Sequence, residues 1–501
     1  MIAAWSLLWG VLEALCIPPL PLGPLFPAVL AGMLVWVDAD SPSKALKKGF
    51  LSGFVLQVAA LHWIKNVMNV GPAVTIGIGL LLLFAYLAAF QALWAWLWVH
   101  CRRLGVPWAW PFLFTGIELL RGWGQMSFPW MHVGYDLGGF LPGLQGVAWT
   151  GVYGAGLAMA ATGAILALWW RGALPRKILW APGLFWAAWW IAGFVRLATP
   201  PVEGGMRVAI VQPAIPQTRK WDESYFQTVM ARTWATVDRL QERPDLWALP
   251  ETAIPDLWSW RPEEVSRIQK IAARSNAPVV VGALEFLMDS RDPNGGHLRN
   301  SAFLVEPGKR GVRYDKLRLV PFSEHLPFDD FLPALNQVKL GQSGFSSGDS
   351  LPVWNTGIPW APAICFEMVH ADFPRLALAN GARAMVVITN DGWFGNSLGP
   401  RQHWNIHRFH AVENGLSMAR SANTGISGAT DHLGRILART ELMRDTALVV
   451  RLPAGTGSFY GRHGTGIDRL LWILAAAALA TVGFRWIRAR PVVAEAGSPP
   501  R

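Results

Sequence analysis

The chain has 501 residues, 52% of them hydrophobic and only 15% charged, with 29 Trp and a formal net charge of +11. That balance excludes an ordinary soluble protein, and the length calls for more than one domain. Residues 198–466 hold 28 Lys and Arg against 26 Asp and Glu, whereas the rest of the chain holds 16 against 7. The basic excess therefore lies in the apolar part, where it reads as a membrane-topology signal and not as a nucleic-acid footprint. The abundant Trp point the same way, because an indole suits the half-wet membrane interface.

Residues 1–197 are a succession of apolar stretches. Helices are expected near 4–17, 23–37, 49–65, 73–99, 106–120, 144–170 and 178–196, and an eighth near 467–486. Several approach the ~20 residues that a bilayer span requires. The first two are short and carry Pro18, Pro19, Pro21, Pro24 and Pro27, which fits a broken or re-entrant pair. The first segment lacks a basic n-region and a small-x-small cleavage site, so it reads as retained. Four basic clusters mark the loops: Lys44, Lys47 and Lys48; Arg102 and Arg103; Arg171, Arg176 and Lys177; and Arg485, Arg488 and Arg490. With eight spans all four fall on one side, which the positive-inside rule makes cytoplasmic. The expected organisation is a membrane domain over 1–197, a domain outside the cytoplasm over 198–466, a last span over 467–487 and a disordered tail over 488–501. Glu13 and Glu118 lie inside apolar stretches, where an ionisable group is either functional or, for Glu118, paired with the nearby Arg121.

The insert reads as α/β. Strands are expected at 207–212, 246–250, 279–284, 301–306, 361–366 and 384–389, with helices near 223–242, before Asn276 and near 401–415. Residues 421–427 and 436–439 flank the turn Asp431–Gly434 as a hairpin. Alternation of strands and helices implies a layered sheet.

Three apolar runs in this insert end in a reactive group: Trp247–Glu251, Tyr314–Lys316 and Ala361–Cys365. A thiol accepts an acyl group only as its thiolate, so Cys365 needs a base or a cation beside it. Glu251 could take the thiol proton and return it to a leaving group. Lys316, with the Phe366 backbone N–H, could stabilise the thiolate and then an oxyanion. Any one of them alone is an ordinary polar residue after a strand. Cys16 and Cys101 lie in or beside apolar segments and read as small hydrophobes. Three scattered cysteines make neither a disulfide framework nor a zinc site. His403, His407 and His410 share one helical face, but without a metalloprotease Glu between them they read as packing residues rather than metal ligands.

The three reactive groups sit in longer motifs. Leu249-Pro-Glu-Thr-Ala-Ile-Pro255, Tyr314-Asp-Lys-Leu-Arg-Leu-Val-Pro-Phe-Ser-Glu-His325 and Ala363-Ile-Cys-Phe-Glu367 occur in the order of the Glu, Lys and Cys motifs of the nitrilase superfamily and resemble them. With the flanking spans and Asn390-Asp-Gly-Trp-Phe-Gly395, nearly the whole chain resembles the apolipoprotein N-acyltransferases of bacterial inner membranes. The resemblance implies a polytopic bundle of about eight transmembrane helices carrying an α/β, four-layer α-β-β-α sandwich on the periplasmic side. It implies Glu251 as general base, Lys316 as oxyanion stabiliser and Cys365 as nucleophile. It also implies supporting or substrate-binding roles for Trp221, Glu324, Phe366, Glu367 and Trp393. Phe366 departs from the Tyr common in the family, keeping the ring and losing the hydroxyl, and His325 replaces a common Phe. The implied reaction moves an acyl chain from a phospholipid to Cys365 and then to the α-amine of a diacylglyceryl-cysteine lipoprotein. It requires no metal or cofactor. Splitting the transfer lets one site serve two lipids in turn.

Two other readings compete. A membrane-tethered amidase or nitrilase would use the same triad on a small C–N substrate, and a lipid transporter or scaffold would carry a degenerate domain. The apolar stretches His325–Leu335 and Leu257–Trp260 read either as membrane-dipping or gating loops, with a lid over 325–346, or as buried helix within the insert.

Overall fold

The architecture is that of a computed structural model, which describes residues 2–38, 40–67, 73–289, 295–309, 311–328 and 344–489. The first part is helical: α1 (Ile2–Cys16), α2 (Phe26–Asp38), α3 (Pro42–Leu61), α4 (Ala73–Arg103), α5 (Trp110–Arg121), α6 (Leu141–Leu144), α7 (Val147–Trp170) and α8 (Trp180–Leu197). The segments expected from the sequence all appear as helices. Among the described residues four stretches are long and apolar enough to cross a membrane: Ile76–Arg103, Val147–Trp170, Arg176–Leu197 and Phe459–Ala489. The expected count of eight is not reached on length and composition. Helices α1, α2 and α5 have only 15, 13 and 12 residues, or roughly 18–22 Å at 1.5 Å per residue. Helix α3 spends its first turns on Lys44, Lys47 and Lys48.

Small residues let these helices approach closely. A Cβ on Gly49 of α3 would lie 2.8 Å from the Gln91 carbonyl of α4. Polar side chains bridge the same bundle: Gln91 donates to Glu13 at 2.8 Å, and Trp98 donates to the Leu34 carbonyl at 3.1 Å. Glu118 does pair with Arg121, at 3.0 Å, and also accepts from the Val133 amide at 2.9 Å.

The insert contains β1 (Met206–Gln212), α9 (Gln217–Lys220), α10 (Phe226–Asp238), β2 (Leu246–Ala248), α11 (Pro262–Ser275), β3 (Val279–Met288), β4 (Gly296–Val305), β5 (Val312–Asp315), β6 (Trp354–Asn355), β7 (Pro359–Ile364), α12 (Asp372–Ala379), β8 (Ala384–Thr389), α13 (Gly399–Asn414), β9 (Ser417–Ala422), β10 (Gly428–Thr430), β11 (Ile436–Arg439) and β12 (Thr446–Leu452). They form two six-stranded sheets, ordered β12-β1-β2-β3-β4-β5 and β11-β10-β9-β8-β7-β6. Each sheet has a parallel centre, β1-β2-β3 or β7-β8-β9, and antiparallel edges. Parallel central strands are covered on both faces, so they read as continuous apolar runs. Val208, Ile210, Ala248 and Val280 of one sheet pack with Ala363, Ile364, Val386 and Ile388 of the other. Helices α10 and α11 cover the first sheet's outer face through Phe226, Trp234, Ile268 and Ile271, and Phe373 and Ala377 of α12 join the core of the second. The layers run helix, sheet, sheet, helix.

Two local expectations are adjusted. Residues 423–427 leave the sheet after β9, and the hairpin around Asp431–Gly434 joins the short strands β10 and β11. The last helix, α14 (Phe459–Ala489), starts eight residues before the expected 467. Its extra turns are held by polar contacts: Ser458 accepts from the Gly461 amide at 2.8 Å, Tyr460 donates to Asp468 at 2.8 Å, and Asp468 pairs with Arg375 at 3.0 Å.

Helix α13 joins the two parts of the molecule. Gln402 accepts from the indoles of Trp63 and Trp130, both at 3.0 Å, and donates to the Ala60 carbonyl at 3.1 Å. Glu413 accepts from the Val152 amide at 2.7 Å. The three histidines of this helix are buried and each meets a charged partner, with Arg420 shared by His403 at 3.1 Å. His403 meets Asp391 at 3.0 Å, His407 meets Arg420 at 2.7 Å, and His410 meets Glu413 at 2.6 Å.

Candidate active site

Three strand ends build the site. Glu251 lies three residues beyond β2, Lys316 directly follows β5 and Cys365 directly follows β7. β2 and β5 belong to one sheet and β7 to the other, so the three groups meet where the sheets face each other. Lys316 Nζ is 3.8 Å from Glu251 Oε1, and the charges of both act on Cys365. All three are buried: Lys316 is 1% exposed, Glu251 6% and Cys365 8%.

The carboxylate of Glu251 is aimed from both sides. Asn300 of β4 donates to Oε1 at 2.8 Å, and the Asn390 amide donates to Oε2 at 2.8 Å. Behind it, Gly282 of β3 passes so close that a Cβ would lie 2.7 Å from Glu251 Cα. Lys316 is fixed at both backbone ends: its amide donates to the Asn300 carbonyl at 2.9 Å, and its carbonyl accepts from the Gly348 amide at 2.8 Å. Its ammonium pairs with Glu324 at 2.8 Å, and Asn300 reaches the same Glu324 oxygen at 3.2 Å. Glu324 Oε2 accepts from the Val320 amide at 2.8 Å. Burial opposes the Lys316 charge, but Glu324 and Glu251 outweigh it and hold the ammonium above its ordinary range.

Cys365 opens a short helical turn, Cys365–Val369, with its backbone at φ +52°. That left-handed conformation is costly for a residue with a Cβ and persists only where the surroundings enforce it. Glu367 supplies the enforcement. It accepts from the Ile364 amide at 2.7 Å on the Cys365 side. On the Lys316 side it accepts from Tyr314 Oη at 2.6 Å and from the amides of Leu317 at 2.7 Å and Arg318 at 3.2 Å. One buried carboxylate thus ties the cysteine turn to the lysine loop. Burial pushes the Cys365 thiol well up, and the Glu251 charge adds to this, while Lys316 pulls it back. The resting group is a thiol whose proton must be taken by a base as it attacks.

The remaining candidates fall around this centre. The Phe366 ring lies near-parallel to Trp130 at 6.5 Å, in an aromatic group with Trp63 and Phe394 at the junction with the first, helical part. Trp221 follows α9 and is half-buried, its indole N–H without a partner among the described residues. Trp393 is half-buried in the turn Asp391–Phe394, three residues beyond Asn390. His325 closes the Lys316 loop, its carbonyl accepting from the Phe322 amide at 2.8 Å. Most of the expected lid, residues 329–343, lies outside the described residues.

Sequence reasoning missed Asn300, which orients both carboxylates, and Lys220, whose ammonium nitrogen donates to the Glu251 carbonyl at 3.0 Å. Lys220 stands directly before Trp221, and Asn300 is a polar residue within a strand; neither carries a spacing signal. Asn390 opens the Asn390–Gly395 motif, but it holds Glu251 through its backbone amide.

The arrangement offers a base, a cation and a nucleophile, all buried, with the first N–H groups of the Cys365 turn free of intrahelical acceptors. That is the equipment for acyl transfer through a thioester.

Family models match both parts of the chain. Residues 9–165 match the model of the apolipoprotein N-acyltransferase N-terminal domain, and residues 207–460 match the carbon-nitrogen hydrolase model. An apolipoprotein N-acyltransferase from Geobacter metallireducens is 33% identical, covering 96% of this chain and 95% of its own. One from Pseudomonas syringae pv. tomato is 32% identical over 85% and 86% of the two chains. Among solved structures, an amidase from Nesterenkonia sp. AN1 aligns at 19% identity and a TM-score of 0.36, over 51% of this chain and 93% of that one. The two family models together and each of the two N-acyltransferase relatives span both halves of the molecule, and the chain belongs to the apolipoprotein N-acyltransferase family.

Proposed function

We propose that the protein moves an acyl chain from a phospholipid to the N-terminal amine of a diacylglyceryl-cysteine lipoprotein, by a ping-pong route through a thioacyl-Cys365 enzyme. The observation that carries this is the meeting of Glu251, Lys316 and Cys365, buried at three strand ends, in a domain docked onto apolar helices. Glu251 takes the thiol proton as Sγ attacks the ester carbonyl. Lys316 faces the oxyanion, and Glu251 returns the proton to the departing lysophospholipid oxygen. The thioester keeps enough reactivity for an amine to attack it, and burial of Cys365 keeps water away. Glu324 and Glu367 hold the lysine and the cysteine turn, while Trp221, Phe366 and Trp393 line the approach. Neither a metal nor a cofactor enters this chemistry.

The setting is a bacterial inner membrane. In this reading the shorter apolar helices are embedded beside the four long ones, giving about eight spans, and residues 198–466 face the periplasm. Residues 1–197 form the membrane domain, 467–487 the membrane part of α14, and 488–501 a cytoplasmic tail. Basic loops on one side and 29 Trp support this placement. The exposed Trp123 and Trp260, 72% and 70% accessible, suit an interfacial belt.

The test is turnover. Purified full-length protein with phospholipid and a synthetic diacylglyceryl-cysteinyl peptide should convert that peptide to its triacylated form, read by mass. Release of free fatty acid with an unmodified peptide would favour a hydrolase, and hydrolysis of small amides would favour the amidase reading.

A further inference from the structure

The site contains a second lysine whose surroundings differ from those of Lys316. Lys220 ends α9 and is 2% exposed. Its ammonium nitrogen reaches the neutral Glu251 carbonyl at 3.0 Å, whereas Lys316 faces Glu324 at 2.8 Å and Glu251 at 3.8 Å. Its position is locked. Asn390 donates to Gln217 of α9 at 2.9 Å, and Asn423 grips Ile215 through both amide and carbonyl, each at 2.9 Å. Asn390 and Asn423 are themselves joined at 3.0 Å, and the Asn390 amide holds Glu251. One polar lattice therefore fixes α9 against the base.

A buried ammonium without a counter-ion is costly and tends to give up its proton. Burial lowers the Lys220 pKa to about 7, with the charge of Glu251 acting against the shift. A neutral amine keeps the N–H needed for the Glu251 carbonyl and gains a lone pair. The ion-paired Lys316 has none to offer. The acyl acceptor raises a matching problem: an α-amino group titrates near 8, so at neutral pH it arrives mostly as a non-nucleophilic ammonium.

Resting on the acyl-transfer reading above, we propose that Lys220 is the proton acceptor that turns the incoming α-ammonium into the attacking amine. The ammonium passes one proton to the Lys220 Nζ. The freed nitrogen forms the C–N bond at the thioester carbonyl, and the C–S bond breaks. A second nitrogen proton passes by way of Glu251 to Sγ, restoring the thiol, and the amide keeps the third. The Lys220 ammonium loses its proton to solvent as the product leaves.

The half-reactions separate this role from a structural one. Full-length protein in detergent is loaded with a mixture of labelled phosphatidylethanolamine and phosphatidylglycerol, and acyl-Cys365 is followed by rapid quench. The acyl-enzyme is then mixed with a diacylglyceryl-cysteinyl peptide or with hydroxylamine, which is uncharged at neutral pH. Lys220→Arg keeps a donor for the Glu251 carbonyl but holds its proton permanently; Lys220→Met removes both. Lys220→Arg should form acyl-Cys365 within about threefold of the unaltered rate, whereas Lys220→Met, which leaves the Glu251 carbonyl without this donor, should load more slowly. Transfer to the peptide should fall about 100-fold or more, in the range of a lost general base, while hydroxylamine still discharges both. Equal slowing of loading and transfer, or of peptide and hydroxylamine, would make Lys220 a structural brace and overturn the proposal, as would unchanged peptide transfer in Lys220→Arg. Absence of acyl-Cys365 in the unaltered protein would overturn the acyl-transfer reading itself.

Discussion

Glu324→Gln tests how charge is divided in the site. Lys316 stands 2.8 Å from Glu324 and 3.8 Å from Glu251. At an effective dielectric of about 20 these separations correspond to roughly 6 and 4 kcal/mol of attraction, so Glu324 holds most of the lysine and leaves Glu251 free to act as a base. Gln keeps the shape and the acceptor oxygen but removes the charge, and Lys316 then has only Glu251 to pair with. Closing that gap from 3.8 to 2.8 Å adds about 1.5 kcal/mol to the Lys316–Glu251 pair. Glu251, more tightly paired, is then a weaker base, and acyl-Cys365 formation slows about tenfold. Loss of a buried partner also costs about 3 kcal/mol of stability. Rapid-quench measurement of the acyl-enzyme, with a thermal melt of the same preparation, reads both effects. A variant that melts lower yet acylates within twofold of the unaltered rate would refute the charge division.

Three further substitutions probe the same geometry. Gly282→Ala places a Cβ 2.5 Å from the Thr252 amide nitrogen and 2.7 Å from Glu251 Cα; moving this backbone should cost about 1–3 kcal/mol and slow acylation far more than it weakens phospholipid binding. Equal changes in kcat and KM would argue against a displaced base. Glu367→Gln leaves at least one of its four donors facing an amide N–H instead of an oxygen. That should cost about 1–3 kcal/mol and slow alkylation of Cys365 by a small electrophile, and unchanged alkylation would remove Glu367 from the cysteine turn. His370 is buried beside Phe366, and burial holds its pKa well below the ordinary 6.5. The unfolded chain therefore binds this proton first, so its contribution to stability is present above pH 6.5 and is lost as pH falls below it. His370→Phe should flatten the melting curve's acid limb, and an unchanged limb would assign it to other groups.

Much of the fold and of the site is legible in the sequence. The central strands are visible because burial on both faces leaves uninterrupted apolar runs such as Ala384–Thr389, and Glu251 and Cys365 announce themselves by following such runs, whereas Lys316 follows the short edge strand Val312–Asp315. The supporting polar groups are hidden for the same reason. Asn300 and Lys220 act through distances between strands and loops far apart in the chain, and no periodicity records that a side chain 31 residues upstream of Glu251 bonds to its carbonyl. Helix length misleads in one place: apolar character ends near 467, but Tyr460, Asp468 and Arg375 carry α14 back to Phe459. The Pro-rich start, with helices too short to cross alone, shows why counting apolar runs gives more spans than length alone supports.

The central claim is a covalent one, and the most direct measurement is the mass of the peptide containing Cys365. Full-length protein incubated with phosphatidylethanolamine and phosphatidylglycerol, quenched in acid and digested, should yield that peptide heavier by one fatty acyl group. The bond should be labile to hydroxylamine and absent in Cys365→Ala. An unmodified Cys365 peptide during steady turnover of the lipopeptide, or an acyl group on another residue, would contradict the account.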